Sequence, residues 1–268
     1  MRATVALTDP DMGREWKWGV YDEEGLRFAL LMTHHELRDL AVRLAKMRER
    51  QPTQAGRILA QYHEAYRDMT AVLATVRSED LDRAPAEGEW PVRKVCDHML
   101  GAEYGFLRVC RIGLERHRGG KTAEPTEDEW NAASAPYTKA REAATAPLAT
   151  SGIDKIRDAF FDIHARNLRE LSDITDPELG LPSWFWDGPM PIRFRLHRFE
   201  EHLRQHTIQL DKTLVGIGRP PTEAHRLVRN IYNALADVET ETAPAPQLRG
   251  QVAQRIIDRT APLTVPLG

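Results

Sequence analysis

In RFEEHLRQHTIQLDKTL, residues 198–214, His202 and His206 stand four residues apart. On a helix that spacing stacks both imidazoles on one face, a turn apart, where both can reach a single metal ion. With ten histidines in the chain, chance supplies roughly 0.4 such pairs, so the spacing alone is weak. Position adds to it. Ile192, Leu196, Phe199, Leu203, His206, Leu210 and Ile217 form one stripe, and His206 takes a core position in it. A buried imidazole needs a partner, either a metal ion or a hydrogen-bonding carboxylate. The candidate third ligand is His98 in WPVRKVCDHMLGAEYGF, one position off the stripe Val92, Val95, Met99, Ala102, Phe106, Val109 and Gly113. Three neutral histidines leave coordination positions open and suit divalent Zn, Ni or Fe, which would lower the pKa of a bound water or thiol. Structural zinc sites close all four positions, so an open set points to chemistry or ligand capture.

Other polar residues lie near the same stripes. Asn167 falls within the inner stripe of its helix with His164 beside it, and His63 borders another stripe. Glu103 and Glu201 can support the histidines, act as a base, or simply be solvated. His34 and His35 are adjacent, so they do not share a helix face, and they read as the surface of a first turn. Cys96 and Cys110 fall in one helix, about 21 Å apart along its axis, which excludes a disulfide between them. Both read as small buried hydrophobes, and two free thiols suit a reducing compartment.

The elements expected to position these residues are long amphipathic helices. One runs over about 53–76 on Leu59, Tyr62, Tyr66, Met69, Leu73 and Val76. A second is opened by Pro91 and carries His98, a third covers about 152–174, and a fourth starts near Pro191. His98 sits ~10 Å into its helix and the other two histidines ~15–21 Å from the ends of theirs, so the levels allow them to meet. Between about 117 and 150 lies a polar connection long enough to carry the chain back across a bundle, which gives an up-down-down-up order. The loop with Trp184, Phe185 and Trp186 reads as an apolar plug closing the bundle end or as a substrate-facing wall. Upstream, ATVALT, EWKWGVY and LRFALLM read as a small β-meander, and Thr33 of THHE as the cap of a helix to about Met47. Downstream, Thr222 and Glu223 open a shorter helix, with a tail that is either one more helix or loose. The expected class is thus mainly α: an extension over 1–52, a four-helix bundle over 53–218 and helical decoration over 219–268.

The totals exclude several classes. A formal net charge of −3 with no basic stripe argues against nucleic-acid binding. No run approaches a membrane span and the first residues lack a signal-peptide pattern, so the expected location is the cytoplasm.

The segments GEWPVRKVCDHMLGAE, with Trp90, His98 and Glu103, and EEHLRQHTIQLDKTL, with the paired histidines, resemble the signatures of the DinB-like (DinB/YfiT) superfamily. The resemblance implies an up-down-down-up four-helix bundle with a divalent metal held by His98, His202 and His206. It also implies chemistry with a low-molecular-weight thiol, as in the family's thiol S-transferases and a mycothiol-dependent isomerase; the competing reading is a non-catalytic metal or small-ligand binding protein of stress response. Residues 1–52 lie outside the motif-bearing core and are expected to shape a homodimer interface or to cover the pocket. A purely structural role, with the histidines as satisfied core residues, is the third reading from the sequence itself.

Overall fold

The computed structural model describes residues 7–16, 25–48, 51–185 and 187–264. Among them are eight α-helices: α1 (Gly25–Lys46), α2 (Gln54–Thr75), α3 (Val92–Arg118), α4 (Glu127–Thr145), α5 (Ile153–Leu171), α6 (Ile192–Gly216), α7 (Glu223–Thr242) and α8 (Pro246–Thr264). One antiparallel hairpin, β1 (Pro182–Phe185) and β2 (Gly188–Pro191), precedes α6. The chain divides into two compact units, one of residues 52–66 and 77–217, the other of 1–51, 67–76 and 218–268, so α2 contributes to both.

In the second of these units the expected meander is corrected. LRFALLM is not a strand but the start of α1, and the helix passes through Thr33 without a break. Its buried residues, Leu26, Ala29, Leu30, Thr33, Leu37, Ala41 and Leu44, recur at helical spacing, and Thr33 turns its hydroxyl back to the Ala29 carbonyl at 2.8 Å. A short apolar run does not separate helix from strand, and here the longer period decides. His34 and His35 therefore lie mid-helix rather than in a first turn. Most of ATVALT and EWKWGVY, like Trp186, lies outside the described residues. α1 packs along α7 around Leu37, Ala41, Leu44, Ala234 and Val238, with α8 adding Val252.

Gly25 opens α1 at φ +63°, and a Cβ there would sit 2.3 Å from the Arg14 carbonyl oxygen. The Leu26 N–H donates to that same oxygen at 2.9 Å. Gly25→Ala is expected to cost about 1–2 kcal/mol from the left-handed backbone alone, with the clash added, read as a lowered denaturant midpoint at unchanged slope.

In the unit of 52–66 and 77–217, α3 packs against α4, α5 and α6. The polar segment before α5 is not an open connection, because most of it folds as α4. Thr126 accepts from the Glu129 N–H while Glu129 reaches back to the Thr126 N–H, a capping box that satisfies two orphan donors. Trp184 and Phe185 lie in β1 of the hairpin, with Ser183 and Trp184 buried. Gly113 on α3 makes room for it, since a Cβ there would meet the Ser183 Cβ at 2.9 Å. Arg195 of α6 fixes the hairpin's turn, donating to both Asp187 oxygens at 2.6 and 2.8 Å and to the Gly188 carbonyl at 3.0 Å. That contact sets where α6 begins and therefore the register of its histidines.

Candidate metal centre

Two elements supply the site. α3 starts after Pro91, whose extended backbone fits the cap position and whose missing N–H costs nothing there. α6 starts after Pro191 in the same way, with the Ile192 N–H bonded to the Leu181 carbonyl at 2.9 Å. Along their contact His98 comes from α3 and His202 and His206 from successive turns of α6.

The three rings converge. Centroids lie 5.0 Å apart for His98 and His202, 4.6 Å for His98 and His206, and 4.3 Å for His202 and His206. One ring nitrogen from each lies within 4.8 Å of the others, so the set could hold a metal ion. His202 and His206 are buried and His98 is exposed, which leaves the site open on the α3 side.

Each ring is braced from outside the cluster. Trp90 meets His98 edge-on at 5.3 Å and Phe106 meets His202 edge-on at 5.4 Å. The Nδ1 of His206 lies 2.7 Å from Gln209 Oε1. A carbonyl oxygen only accepts, so Nδ1 carries the proton and Nε2 turns its lone pair to the site. On His202 the far nitrogen, Nδ1, is buried without a hydrogen-bond partner among the described residues.

Electrostatics favour the neutral state that a metal requires. Burial, then the charges of His206 and His98, push His202 down to about 3. His98 is lowered by burial and then by His206, with Asp97 acting in the opposite sense. At neutral pH these two imidazoles carry lone pairs, and their Nε2 atoms stand 3.1 Å apart. Tetrahedral zinc with nitrogens at ~2.0–2.1 Å would hold them ~3.4 Å apart. For this pair, protonation and spacing are close to what a divalent ion needs.

A model of the DinB superfamily matches residues 61–210, more than half of the chain, spanning all three histidines. The chain belongs to the DinB superfamily. Neither the curated proteins nor the solved structures compared with it gave a match. No described helix is long and apolar enough to cross a membrane.

Other residues singled out from the sequence lie elsewhere in this DinB-superfamily chain. Glu103 is not solvated: it is buried, accepts from the Tyr62 hydroxyl, and accepts from Asn167 Nδ2 at 2.9 Å. Asn167, also buried, donates to Tyr62 at 3.0 Å, so its partners are these two groups and not the histidines. His63 and His164 pair with each other, Nδ1 to Nε2 at 2.9 Å, under Tyr66 stacked on His164 at 3.7 Å. Glu201 is exposed and pairs with Arg198 at 3.2 Å. Cys96 and Cys110 are free and buried, and burial pushes both thiols up to about 12, which leaves them unreactive as nucleophiles. Cys96 lines a cleft of about 420 Å³ between the start of α3 and residues 145–149, and none of the three histidines lines it.

Gln209 escaped the sequence reading, although its place three residues after His206 is a helical-neighbour position. Tyr62 was counted only as part of an apolar stripe, yet its hydroxyl is the hub of the buried polar cluster.

Proposed function

We propose that His98, His202 and His206 bind one divalent metal ion within a four-helix bundle of α2, α3, α5 and α6 in up-down-down-up order, spanning residues 53–218. Side chains from all four helices meeting at one level support the bundle: Tyr62, Glu103, Asn167 and Phe199 lie in mutual contact or share partners. The observation that carries the metal reading is the convergence of one nitrogen from each of three rings to within 4.8 Å.

A divalent ion there supplies Lewis acidity and keeps a thiol ionised near neutral pH. The histidine set adds no charge and stays open where His98 is exposed. Gln209 holds His206 in the tautomer that presents Nε2, while Trp90 and Phe106 pack edge-on against His98 and His202. These features support a thiol S-transferase that delivers a low-molecular-weight thiol to an electrophile.

Elemental analysis of the purified protein, followed by thiol consumption across a panel of thiols and electrophiles, tests the reading. A stoichiometric divalent ion and consumption of at least one thiol are expected. Stoichiometric metal with no thiol consumed would reassign the chain to the non-catalytic ligand-binding class. No metal, with equal thermal stability in chelator, would overturn the metal site. Gln209→Leu is expected to weaken metal affinity ~10–100-fold, the usual effect of removing a ligand's outer hydrogen bond, measured by competition with a chelating dye.

A further inference from the structure

Most arginines of α3 have carboxylate partners. Arg93 pairs with Asp82, Arg111 with Glu115, Arg116 with Glu129 and Arg118 with Glu178. Arg108 does not. Its guanidinium lies over the rings of Trp130, at 5.5 Å, and Phe185, at 5.8 Å, and its Nε is buried with no hydrogen-bond partner among the described residues. Aromatic faces attract a cation but offer no acceptor in its plane, so the buried Nε–H remains unmet. A half-buried guanidinium without a counter-charge gives up hydration with no ion pair in return.

The next cation makes the cost larger. Arg141 of α4 also lacks a hydrogen-bonding or carboxylate partner among the described residues, and its guanidinium lies over Gly101, with Nε and Nη2 3.3 Å from where a Cβ would be. Burial and the like charge of Arg141 both lower the Arg108 pKa, which places the two cations within each other's field. Folding has brought two positive groups together and supplied no anion.

Arg141 stands close to His98 along α3. Gly101 is three residues after His98, so Arg141 sits about 4.5 Å along α3 from it. Arg108 is seven residues after Gly101, about two helical turns, so it shares that face of α3. The surface between is floored by small residues: Gly101, Ala102 and Gly105 are half-buried, and a Cβ on Gly105 would meet nothing within 4 Å. The floor therefore leaves room for a small molecule.

We propose that Arg108 and Arg141 form an oxyanion-binding site beside His98, which grips the carboxylate or phosphate end of a ligand whose other end reaches the three histidines. The second half of that statement rests on the metal reading above; the first stands on the two arginines. Guanidinium groups match carboxylate and phosphate geometry with paired N–H donors, and the Trp130 and Phe185 faces keep Arg108 oriented while the site is empty. The ligand class is an acidic small molecule, such as a thiol carrying a carboxylate, rather than a neutral thiol.

Two measurements separate the halves. In metal-free protein, inorganic phosphate is titrated by calorimetry into wild type, Arg108→Met, Arg141→Met and the double variant. Wild type is expected to bind and each single variant to lose about ten-fold, the value of one charge-assisted hydrogen bond. Equal binding by wild type and double variant, or none by wild type, would overturn the oxyanion site whatever the metal does. Arg141 is exposed, so its variant keeps the test intact if Arg108→Met does not fold. In cobalt-loaded protein, the sulfur-to-cobalt absorption band is followed with 3-mercaptopropionate and with 2-mercaptoethanol. The acid is expected to bind at least about ten-fold more tightly in wild type, and the double variant to lose that preference while still binding 2-mercaptoethanol and one cobalt per chain. Equal affinities in wild type would overturn the link between the two sites. Phosphate binding that depends on the arginines, with no cobalt taken up, would refute the metal reading and uphold the oxyanion site.

Discussion

His206→Ala is expected to abolish stoichiometric metal binding while leaving the helical content unchanged. His206 is one of three converging donors, and its Nε2 is pre-set by the 2.7 Å bond from Nδ1 to Gln209. Removing it leaves His98 and His202, an incomplete set. Loss of an outer hydrogen bond to a ligand costs ~10–100-fold in affinity, so loss of the ligand itself should exceed about 100-fold. The helix has no need of the ring: alanine is the strongest helix former, and the stripe of Leu203 and Leu210 that buries α6 is untouched. Circular dichroism should therefore match wild type while metal content falls to background. Thermal stability gives an independent reading. A ligand that binds only the folded state at ~1,000 times its Kd adds about 4 kcal/mol, so excess metal should raise the wild-type Tm and leave the variant's where chelator leaves it. Full-affinity binding by His206→Ala would remove it from the ligand set. His202→Ala should behave alike, with one difference: it also deletes the buried, unpartnered Nδ1, so its metal-free form should be no less stable than that of His206→Ala.

What could be read from the chain follows from which interactions are local. The His202 and His206 pair was legible because a four-residue spacing on a helix fixes a shared face before any tertiary contact forms. His98 was legible as a neighbour of a stripe, and the helix contact brought it where that stripe pointed. α4 was missed although Thr126 and Glu129 spell a capping box, because Pro136 and a polar composition within Glu127–Thr145 masked its period. LRFALLM misled because seven residues cannot separate a strand from one end of a longer helix, and the deciding residues, Leu37 to Leu44, lie downstream. The hairpin was hidden by its own chemistry: PSWF and GPMP carry prolines and glycine that read as loop, and pairing by four residues is too short to show a period. Whether an ionisable group is paired was the least legible property. Glu103 and Glu201 look alike as sequence, yet one is enclosed by Tyr62 and Asn167 from other helices and the other faces solvent with Arg198. Arg108 and Arg111 sit three residues apart; the i,i+4 spacing to Glu115 marks a partner for Arg111, whereas only the fold brings Arg108 to the rings of Trp130 and Phe185.

Glu103 gives the second large expected effect, a stability that declines as pH rises from about 4.5 to about 8 and is flattened by Glu103→Gln. Burial raises the Glu103 carboxyl to about 8, and the bonds from Tyr62 and Asn167 offset only part of that rise. In the unfolded chain the group returns to the ordinary glutamate range near 4.5. Between those values the folded state holds a proton that the unfolded state has released, so the folded form binds more protons and stability falls with rising pH. The contribution is complete below the unfolded pKa and is lost as pH passes through the folded one. One such proton corresponds to a slope of at most about 1.4 kcal/mol per pH unit, on the order of 4 kcal/mol across the window. Glutamine keeps the shape, can accept from the Tyr62 hydroxyl, and has no charge to expel from the core. It also leaves no ionisable oxygen at the position of Oε1, which has no partner among the described residues. The variant should match wild type near pH 5 and exceed it progressively toward pH 8.5. The depressed His202 works in the opposite direction, adding stability as pH rises from about 3 toward 6.5, and it is common to both proteins. The difference between the two unfolding curves therefore isolates Glu103, and parallel curves across pH 5–8.5 in urea titrations would show that this carboxyl is ionised in the folded protein.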